Sequence, residues 1–381
     1  MSHILFITQV SPLPANGGER IRSLNLLKLL SSLGHKITAI VSNEENLILD
    51  PSPIENVTFF PFLFNRTGKL IFKYFPLDER LLNIVREIEN HNPIDIVFLD
   101  WGFLGQYISF FKKMKKPVIY GSHNAQSQLT SQWPTMSVRE KLRKRIHYRL
   151  QVLHERNFFP NADIFLTVSE NDARFYSFVG RHKMKIIPNF LDVTEYSPVS
   201  QKESYLGFSA NFFSFQNYEG MKWFLDEVWG KDLADLGEIL LIGKGSKELL
   251  SDFANHKNMS GRIKATGNVA DTKPYIAKAR AIIVPLQYGS GTRIKCLEAM
   301  ALNSKIISTN KGIEGIEHNG SVLIANNALE FRNHIHSVFN NSVDTKVNSR
   351  KVIIENYSLA SLQVRMDDLL STILTSQQKN T

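Results

Sequence analysis

The sequence predicts an α/β protein made of two doubly wound domains. The chain has 381 residues, short β-rich runs alternate with helix-like segments from end to end, and a polar stretch interrupts this alternation near the middle. This length suits two domains, because single hydrophobic cores stop growing at about 250–300 residues. We place the domains at residues 1–190 and 191–355, and we expect residues 356–381 to form a closing helix and tail that pack back toward the first domain.

The β-rich runs of the first domain are separated by helix-like segments, as in consecutive βαβ units. Between the first two runs, Glu19–Leu33 has apolar side chains at three-residue steps and is followed by Gly34, which predicts an amphipathic helix with a glycine stop. We expect parallel strands at Ile4–Ile7, Lys36–Val41, Asp95–Leu99, Val118–Tyr120, Ile164–Val168 and Lys185–Ile187.

The second half repeats this alternation. Ahead of it, Asn189–Ser204 contains Pro198 and few apolar residues, which is typical of a linker. At the other end, Ser358–Leu374 has apolar side chains at helical spacing and predicts the closing helix. We expect the strands of the second sheet at Tyr205–Ser209, Ile239–Ile242, Ile263–Thr266, Ala281–Val284, Lys305–Ser308 and Val322–Ile324.

Composition excludes several classes of protein. Hydrophobic residues make up 43% and charged residues 21%, which argues against disorder, collagen-like repeats and coiled coils. The N-terminal segment reads as a core strand rather than a signal peptide, and no apolar run reaches the roughly 18–20 residues of a membrane span. The single cysteine, Cys296, allows no intrachain disulfide and fits a reducing cytoplasm. The net charge of +9 indicates an anionic partner.

Two loops that follow predicted strands carry the strongest chemical signals, since ligands of open α/β sheets bind outside the carboxyl ends of the strands. Ser11–Gly18 ends in Gly17 and Gly18 directly before a helix. Adjacent glycines let backbone amides approach a ligand closely, and a helix N-terminus favours an anion, so this loop fits a phosphate or a sugar. A plain βα turn is the alternative, because the loop has neither a GxGxxG pattern nor a P-loop lysine.

The second loop lies in Pro285–Met300, PLQYGSGTRIKCLEAM, with Arg293 and Lys295 at the start of a helix. Glu298 follows one turn later. A carboxylate there can accept two hydrogen bonds from a vicinal diol such as a ribose, while free amides and the two cations hold a diphosphate. The alternative is a surface helix with a Lys295–Glu298 pair.

These segments resemble a known family. Ala265–Gly315, which contains ATGNVADTKPYIAKARAIIVPLQYGSGTRIKCLEAMA, looks like the donor-binding half of the family 4 glycosyltransferases, which have the GT-B fold of two Rossmann-like domains facing across a cleft. Further resemblances follow in order along nearly the whole chain: NGGER, DIVFLDWGFLGQYI, YGSHNAQSQL, LTVSENDA, IIPNFLDVTEYSP, FSANFFSFQNYEGMKWFLDEVW and LLIGKGS.

The resemblance implies a retaining, metal-independent hexosyltransferase that moves a sugar from a nucleotide diphosphate to an acceptor. Glu298 matches the second glutamate of the family's EX7E motif, which binds the donor ribose. Gly17 and Gly18 match the glycine loop that closes on the donor, and His123 matches a histidine that faces the donor sugar. We expect no cofactor, because the nucleotide sugar is a substrate, and no metal site. An acceptor that is a glycan or a lipid-linked sugar would place the protein in polysaccharide or lipopolysaccharide synthesis.

The chain departs from the family pattern at two points. Ser290 stands where the motif has its first glutamate, which usually contacts the transferred sugar. The segment SANFFSFQN lacks the arginine and lysine that often clamp the diphosphate, and we infer that Arg293 and Lys295 supply this charge. We expect Ser290, Gly291 and Thr292 to line the donor site, with His123, Arg293 and Lys295 in catalytic roles.

Two segments of the first domain suit an anionic membrane surface. Phe59–Pro76 combines aromatic side chains with basic ones, and Arg139–Arg156 holds seven lysines or arginines against Glu140 and Glu155. Their alternatives are a core segment and a solvated helix face. A cytoplasmic protein held at the inner face of the membrane would follow from the first interpretation.

Three other functions remain open at this point. A sugar-nucleotide epimerase of the same fold would need no acceptor, and the GSGTRIKCLEAMA segment argues for the transferase instead. A non-catalytic paralogue would bind the nucleotide sugar without turnover, an alternative that Ser290 keeps open. A nucleic-acid-binding function rests on charge alone, without a recognisable motif.

Overall fold

The computed structural model describes residues 1–43, 52–64, 76–133, 135, 137–253, 262–342 and 348–378. The chain divides into two compact units. The first unit comprises Met1–Pro188 together with Leu362–Thr381, and the second comprises Asn189–Ser361. The division falls two residues before the domain boundary expected from the sequence, and the last residues of the chain group with the first unit.

The first unit contains a seven-stranded parallel sheet with the order β3-β2-β1-β4-β5-β6-β7. Residues of β1 are buried because the strand lies inside the sheet, where Ile4 pairs with Ile37 on one side and with Ile96 on the other. The strands are β1 (His3–Thr8), β2 (Lys36–Ser42), β3 (Val57–Phe62), β4 (Ile96–Asp100), β5 (Val118–Gly121), β6 (Ile164–Thr167) and β7 (Met184–Ile186).

The strand β3 is absent from the sequence prediction. It overlaps the first four residues of the aromatic-basic segment Phe59–Pro76. The strand lies at the edge of the sheet, where Pro61 is tolerated because an edge strand has one unpaired side. Phe60 is exposed and Phe62 is buried. The beginning of the segment is thus part of the fold, whereas residues 65–75 lie outside the described residues.

The second unit contains a six-stranded parallel sheet with the order β10-β9-β8-β11-β12-β13. All six strands predicted for this half of the chain are present, two with the predicted bounds and four with one end shifted by one residue. They are β8 (Tyr205–Ser209), β9 (Glu238–Ile242), β10 (Ile263–Ala265), β11 (Ala281–Val284), β12 (Ile306–Ser308) and β13 (Leu323–Ile324). The predicted fold class of two doubly wound α/β domains is confirmed.

Helices connect the strands of both sheets. The predicted first helix is present with bounds one residue earlier, and the predicted closing helix is present as the last one. The helices are α1 (Gly18–Ser32), α2 (Glu79–His91), α3 (Ile108–Lys113), α4 (Gln126–Ser131), α5 (Val138–Phe158), α6 (Glu170–Phe175), α7 (Phe215–Trp223), α8 (Lys231–Leu236), α9 (Ser246–Asp252), α10 (Lys273–Lys278), α11 (Ile294–Ala301), α12 (Ala328–Phe339), α13 (Ser349–Asn356) and α14 (Leu359–Gln378).

The strand order fixes where each unit can bind a ligand. In each sheet the order reverses beside the first strand of the unit, between β1 and β4 and between β8 and β11. A crevice forms outside the carboxyl ends of the strands at such a point, because the connecting helices leave toward opposite faces of the sheet. The loops after β1, β4, β8 and β11 are therefore the candidate ligand-binding loops.

Candidate functional site

The loop between β11 and α11 forms the centre of the candidate donor site in the second unit. Gly289 and Gly291 have φ angles of 134° and 73°, in the region that favours glycine. A Cβ atom at Gly289 would also lie 2.2 Å from Nη2 of Arg293. The loop therefore needs glycine at position 289 for its backbone and for the space that Arg293 occupies.

Arg293 folds back onto this loop. Its Nη1 atom donates hydrogen bonds to the carbonyl oxygens of Ser290 and Gly291, the second at 2.9 Å. These bonds tie the guanidinium group to the backbone between the glycines. Arg293 thus shapes the loop, and its charge lies directly beside the backbone that a ligand would approach.

Thr292 is buried at the junction of the loop and α11, with 7% of its surface exposed. Its carbonyl oxygen accepts a hydrogen bond of 3.0 Å from Nδ2 of Asn189. Its Oγ1 atom is buried and has no hydrogen-bond partner within the described part of the chain. A buried hydroxyl without a partner is costly, so this group is available to a ligand oxygen.

Glu298 is buried in α11, with 7% of its surface exposed. Tyr196 donates a hydrogen bond of 3.3 Å to its Oε1 atom. Burial raises the pKa of Glu298 to about 7, against the opposing effects of this hydrogen bond and of the nearby charge of Lys273. The side chain of Lys273 lies over the ring of Tyr196, 5.0 Å from its centroid. A ligand whose hydroxyl groups donate hydrogen bonds to this buried carboxylate would stabilise its ionised form.

Lys295 lies one turn from Glu298 and contacts different elements. Its Nζ atom donates a hydrogen bond of 2.7 Å to Oδ1 of Asn217 and lies 4.7 Å from the centroid of the Phe208 ring. Burial lowers the pKa of Lys295 to about 7, and the charge of Arg293 acts in the same direction. Most residues of α11 are buried. The alternative of a surface helix with a Lys295–Glu298 pair is therefore wrong.

The contact between Lys295 and Asn217 brings a cation to the segment SANFFSFQN, which itself contains none. Asn217 is the last residue of that segment, and its Nδ2 atom donates a hydrogen bond of 2.8 Å to the carbonyl oxygen of Asn211. Sequence reasoning missed Asn217, Tyr196 and Asn189 as site residues. The only signal for them was their place in segments that resemble the family.

His123 in the first unit follows β5 and pairs with Asp100 at the end of β4. Its Nε2 atom lies 2.8 Å from Oδ1 of Asp100, and both side chains are buried. The ring stacks on that of Trp101, with centroids 5.4 Å apart and an angle of 10° between the planes. Trp101 has a φ angle of 66°, which is uncommon for a bulky residue and indicates a constrained backbone at this point.

Asp100 collects further contacts from α1. Ser23 donates a hydrogen bond of 2.5 Å to its Oδ2 atom. The buried guanidinium group of Arg22 interacts electrostatically with both Asp100 and Asp172. Burial raises the pKa of Asp100, but the charge and hydrogen bond of His123, with Ser23 and Arg22, outweigh it, so the pKa lies below its usual value. Asp100, Ser23 and Arg22 were not predicted from the sequence, because nothing local marks their proximity.

Gly17 is the N-cap of α1, and Gly18 is its first residue. Gly17 has a φ angle of −163°, an extended backbone that any residue adopts, and a Cβ atom there would meet nothing within 4 Å. Neither backbone geometry nor packing within the described structure therefore requires glycine at position 17. The loop leaves open space beside the N-terminus of a helix, where an anion is favoured.

No cluster of three or more His, Cys, Asp or Glu side chains that could hold a metal ion occurs among the described residues. Within the same residues, none of the helices combines the length and the apolar character that a membrane crossing needs.

Two family models match the chain, and together they cover most of it. Residues 16–195 match the model described as Glycosyltransferase Family 4, and residues 203–341 match the model described as Glycosyl transferases group 1. A Klebsiella pneumoniae protein described as an uncharacterized 44.6 kDa protein in the cps region is 24% identical over 94% of this chain and 97% of its own length.

Solved structures show the same fold. The sucrose-phosphate synthase of Thermosynechococcus elongatus superposes with a TM-score of 0.76 at 13% identity, over 99% of this chain and 100% of the other. The Anabaena protein HepE, solved in complex with UDP and glucose, superposes with a TM-score of 0.68 at 14% identity, over 98% of this chain and 100% of the other.

Proposed function

This chain belongs to the group 1, family 4 glycosyltransferases of GT-B fold, and from that premise we propose that it is a retaining, metal-independent hexosyltransferase. Its donor is a nucleoside diphosphate sugar, and its acceptor is a glycan or a lipid-linked sugar. We place it in the synthesis of a cell-surface polysaccharide or lipopolysaccharide, in the cytoplasm at the inner face of the membrane. The Klebsiella relative from a cps region supports a polysaccharide pathway.

The proposal rests on one observation: the buried helix α11 carries a carboxylate, Glu298, and an ammonium group, Lys295, one turn apart. A buried carboxylate with one hydrogen bond from Tyr196 suits the paired hydroxyls of a ribose, and a half-buried ammonium held by Asn217 suits a diphosphate. The two groups titrate in the same range, with pKa values of about 7. A ligand whose hydroxyl groups donate hydrogen bonds to Glu298 and whose anionic group pairs with Lys295 stabilises the charged forms of both side chains.

The loop before this helix supports a place for the phosphates. Thr292 offers a buried hydroxyl without a partner within the described residues, and Arg293 holds the glycine-rich backbone at Ser290 and Gly291 in shape. Gly17 and Gly18 lie at the N-terminus of α1 in the first unit, with open space beside Gly17. We assign both loops to the diphosphate and the transferred sugar.

The chemical step we propose needs no nucleophile from the protein. The bond between the anomeric carbon and the leaving phosphate oxygen breaks, and its electron pair stays on the diphosphate. The acceptor oxygen bonds to the same face of that carbon, and its proton passes to the phosphate oxygen. Lys295, Arg293 and backbone amides stabilise the charge that develops on the leaving group, which is where electrostatic catalysis acts. His123 faces the reacting sugar.

A thermal-shift panel tests the donor assignment. We expect one of the UDP-, GDP- or ADP-sugars to raise the melting temperature, since a ligand at 100 times its Kd stabilises a protein by about 2.7 kcal/mol. HepE, which was solved with UDP-glucose, makes UDP-glucose the first compound to try. Glu298→Ala should abolish the shift, whereas Glu355→Ala, at an exposed position of the same unit, should leave it intact. No shift with any nucleotide sugar would refute the donor assignment.

A second candidate function rests on Ser290, which replaces a carboxylate of the family motif. A paralogue that binds the nucleotide sugar without turnover would show the thermal shift but release no nucleoside diphosphate with any acceptor pool. The transferase releases it. Measuring that release on membrane and glycan extracts separates the two functions.

A further inference from the structure

Helix α5 exposes a row of apolar side chains on its outer face. The members are Val138, Leu142, Ile146 and Leu153, with exposed fractions of 83%, 59%, 47% and 43%. Steps of four, four and seven residues place all of them on one face of a helix with 3.6 residues per turn. We call this set the apolar row of α5. Exposed apolar side chains gathered on one face among polar ones mark an interaction surface.

The opposite face of α5 is polar and buried. Gln151 Oε1 accepts a hydrogen bond of 2.6 Å from Thr130, and Glu155 Oε2 accepts one of 2.6 Å from Ser127. His154 completes this face. A surface helix normally has the reverse arrangement, with its apolar face inward. Because these hydrogen bonds fix the rotation of α5, the apolar row cannot turn into the core of the unit.

Positive charge lies both within and beside the apolar row. The exposed basic residues of the helix are Arg139, Lys141, Arg143, Arg145, Arg149 and Arg156. Its two acidic residues contribute little to this outer surface, because Glu155 is buried and Glu140 is engaged with Ser137 in a capping box at the N-terminus. The outer face of α5 therefore carries exposed apolar side chains with arginines among and beside them, since Arg149 lies on the same face, three residues after Ile146 and four before Leu153.

We propose that the outer face of α5 binds an anionic lipid surface, with the apolar row inserted at the level of the headgroups. Arginine suits this position because its long apolar stem allows the charge to lie among lipid phosphates while neighbouring side chains enter the acyl region. A second copy of this chain is a poor occupant, because it would bring the same cationic face to the contact and the chain carries a net charge of +9. The inference rests on the proposed function for its choice of a membrane and names the element that makes the contact.

Co-sedimentation with vesicles tests the proposal, with phosphatidylglycerol mixed into phosphatidylcholine as the anionic probe and pure phosphatidylcholine as the neutral one. We expect the full chain to bind the anionic vesicles and to be released at high salt, because screening weakens the charge contribution. Recovery of the parent chain in the supernatant with anionic vesicles at low salt would overturn the proposal.

Two pairs of substitutions separate the apolar row from other exposed apolar residues. Leu142→Ser with Ile146→Ser should lower the partition coefficient at least tenfold. The matched control is Leu329→Ser with Val364→Ser, at side chains that are 67% and 70% exposed on α12 and α14, and it should bind as the parent does. All four side chains are exposed, so the fold should tolerate their replacement. Equal binding by both double variants would overturn the proposal.

A fluorescent label reports insertion directly. Ile146→Cys can be labelled selectively, since Cys296 is buried. An environment-sensitive dye at position 146 should shift to shorter wavelength with anionic vesicles, whereas the same dye on Val364→Cys should not. A protein that dimerises through α5 would instead show a concentration-dependent mass that the Leu142→Ser, Ile146→Ser variant loses, with no vesicle binding, and this outcome would also overturn the proposal. Vesicle binding is measured without nucleotide, so its failure leaves the donor assignment standing.

Discussion

Nε2 of His123 lies 2.8 Å from Oδ1 of Asp100, and both side chains are buried. A carboxylate only accepts hydrogen bonds, so Nε2 carries the proton, and Nδ1 of a neutral ring is then an acceptor. Nδ1 is buried and has no partner within the described residues. Asp100 therefore decides which hydrogen-bonding group His123 can offer to a ligand, which under the proposed function is the reacting sugar.

Asp100→Asn should lower kcat by about 100-fold with a smaller change in the KM of the donor, because an amide no longer imposes one tautomer and orientation on His123. Steady-state kinetics on the donor identified by thermal shift measures both constants. Ser23→Ala removes a hydrogen bond to the same carboxylate but keeps its charge, and it should retain most of the activity. Parental kcat in the Asp100→Asn enzyme would rule out a positioning role for Asp100.

Glu298→Ala should weaken nucleotide binding at least tenfold, since each hydrogen bond to a charged group contributes about 1.5–3 kcal/mol. Glu298→Gln should be milder because the amide can still accept one hydroxyl. Isothermal titration with the nucleoside diphosphate gives both affinities. Parental affinity in the alanine variant would show that the ribose lies elsewhere.

Glu298→Gln should stabilise the protein without ligand at pH 8 but not at pH 5. Burial raises the pKa of Glu298 from its ordinary value of 4.5 to about 7, so the folded state binds the proton more tightly than the unfolded state. This contribution to stability is complete below pH 4.5 and is lost as the pH rises through 7, by up to about 3 kcal/mol. Denaturant unfolding at the two pH values measures the difference. If the stability difference between the variant and the parent were the same at both pH values, it would contradict the raised pKa of Glu298.

The segment Ala15–Glu19 should exchange its amide hydrogens more slowly when a nucleotide sugar is bound. Open space lies beside Gly17 at the N-terminus of α1, and an anion there would hold the amides of Gly17 and Gly18 in hydrogen bonds. Hydrogen exchange with mass spectrometry measures the protection. Unchanged exchange there at saturating ligand would exclude this loop from the donor site, and the strands of the same unit serve as the internal control.

Transferase activity should survive EDTA, because the proposed mechanism assigns the charge of the leaving diphosphate to Lys295, Arg293 and backbone amides. Release of nucleoside diphosphate before and after chelation is the measurement. An enzyme that lost activity in EDTA and regained it with Mg²⁺ or Mn²⁺ would require a different account of leaving-group stabilisation.

Sequence pattern predicted most of the fold because the signals it uses are local. Buried parallel strands are short apolar runs, and twelve of them could be placed from the residues alone. The strand β3 escaped because its exposed aromatic residues and Pro61 resemble a surface segment, and only pairing with β2 made it part of the sheet. The glycine loops were equally visible, since each follows a strand directly and precedes a helix.

The partners of the polar side chains were decided by the tertiary structure. Tyr196 reaches Glu298 across 102 residues of sequence, and Asn217 reaches Lys295 across 78. These contacts depend on the order of strands in each sheet, which no local pattern encodes. Burial then sets the chemistry, because removing Glu298 and Lys295 from water moves both pKa values to about 7. The sequence by itself thus determined the strands, the loops and the residue types at the site, whereas the packing of distant elements determined their hydrogen bonds and their charge.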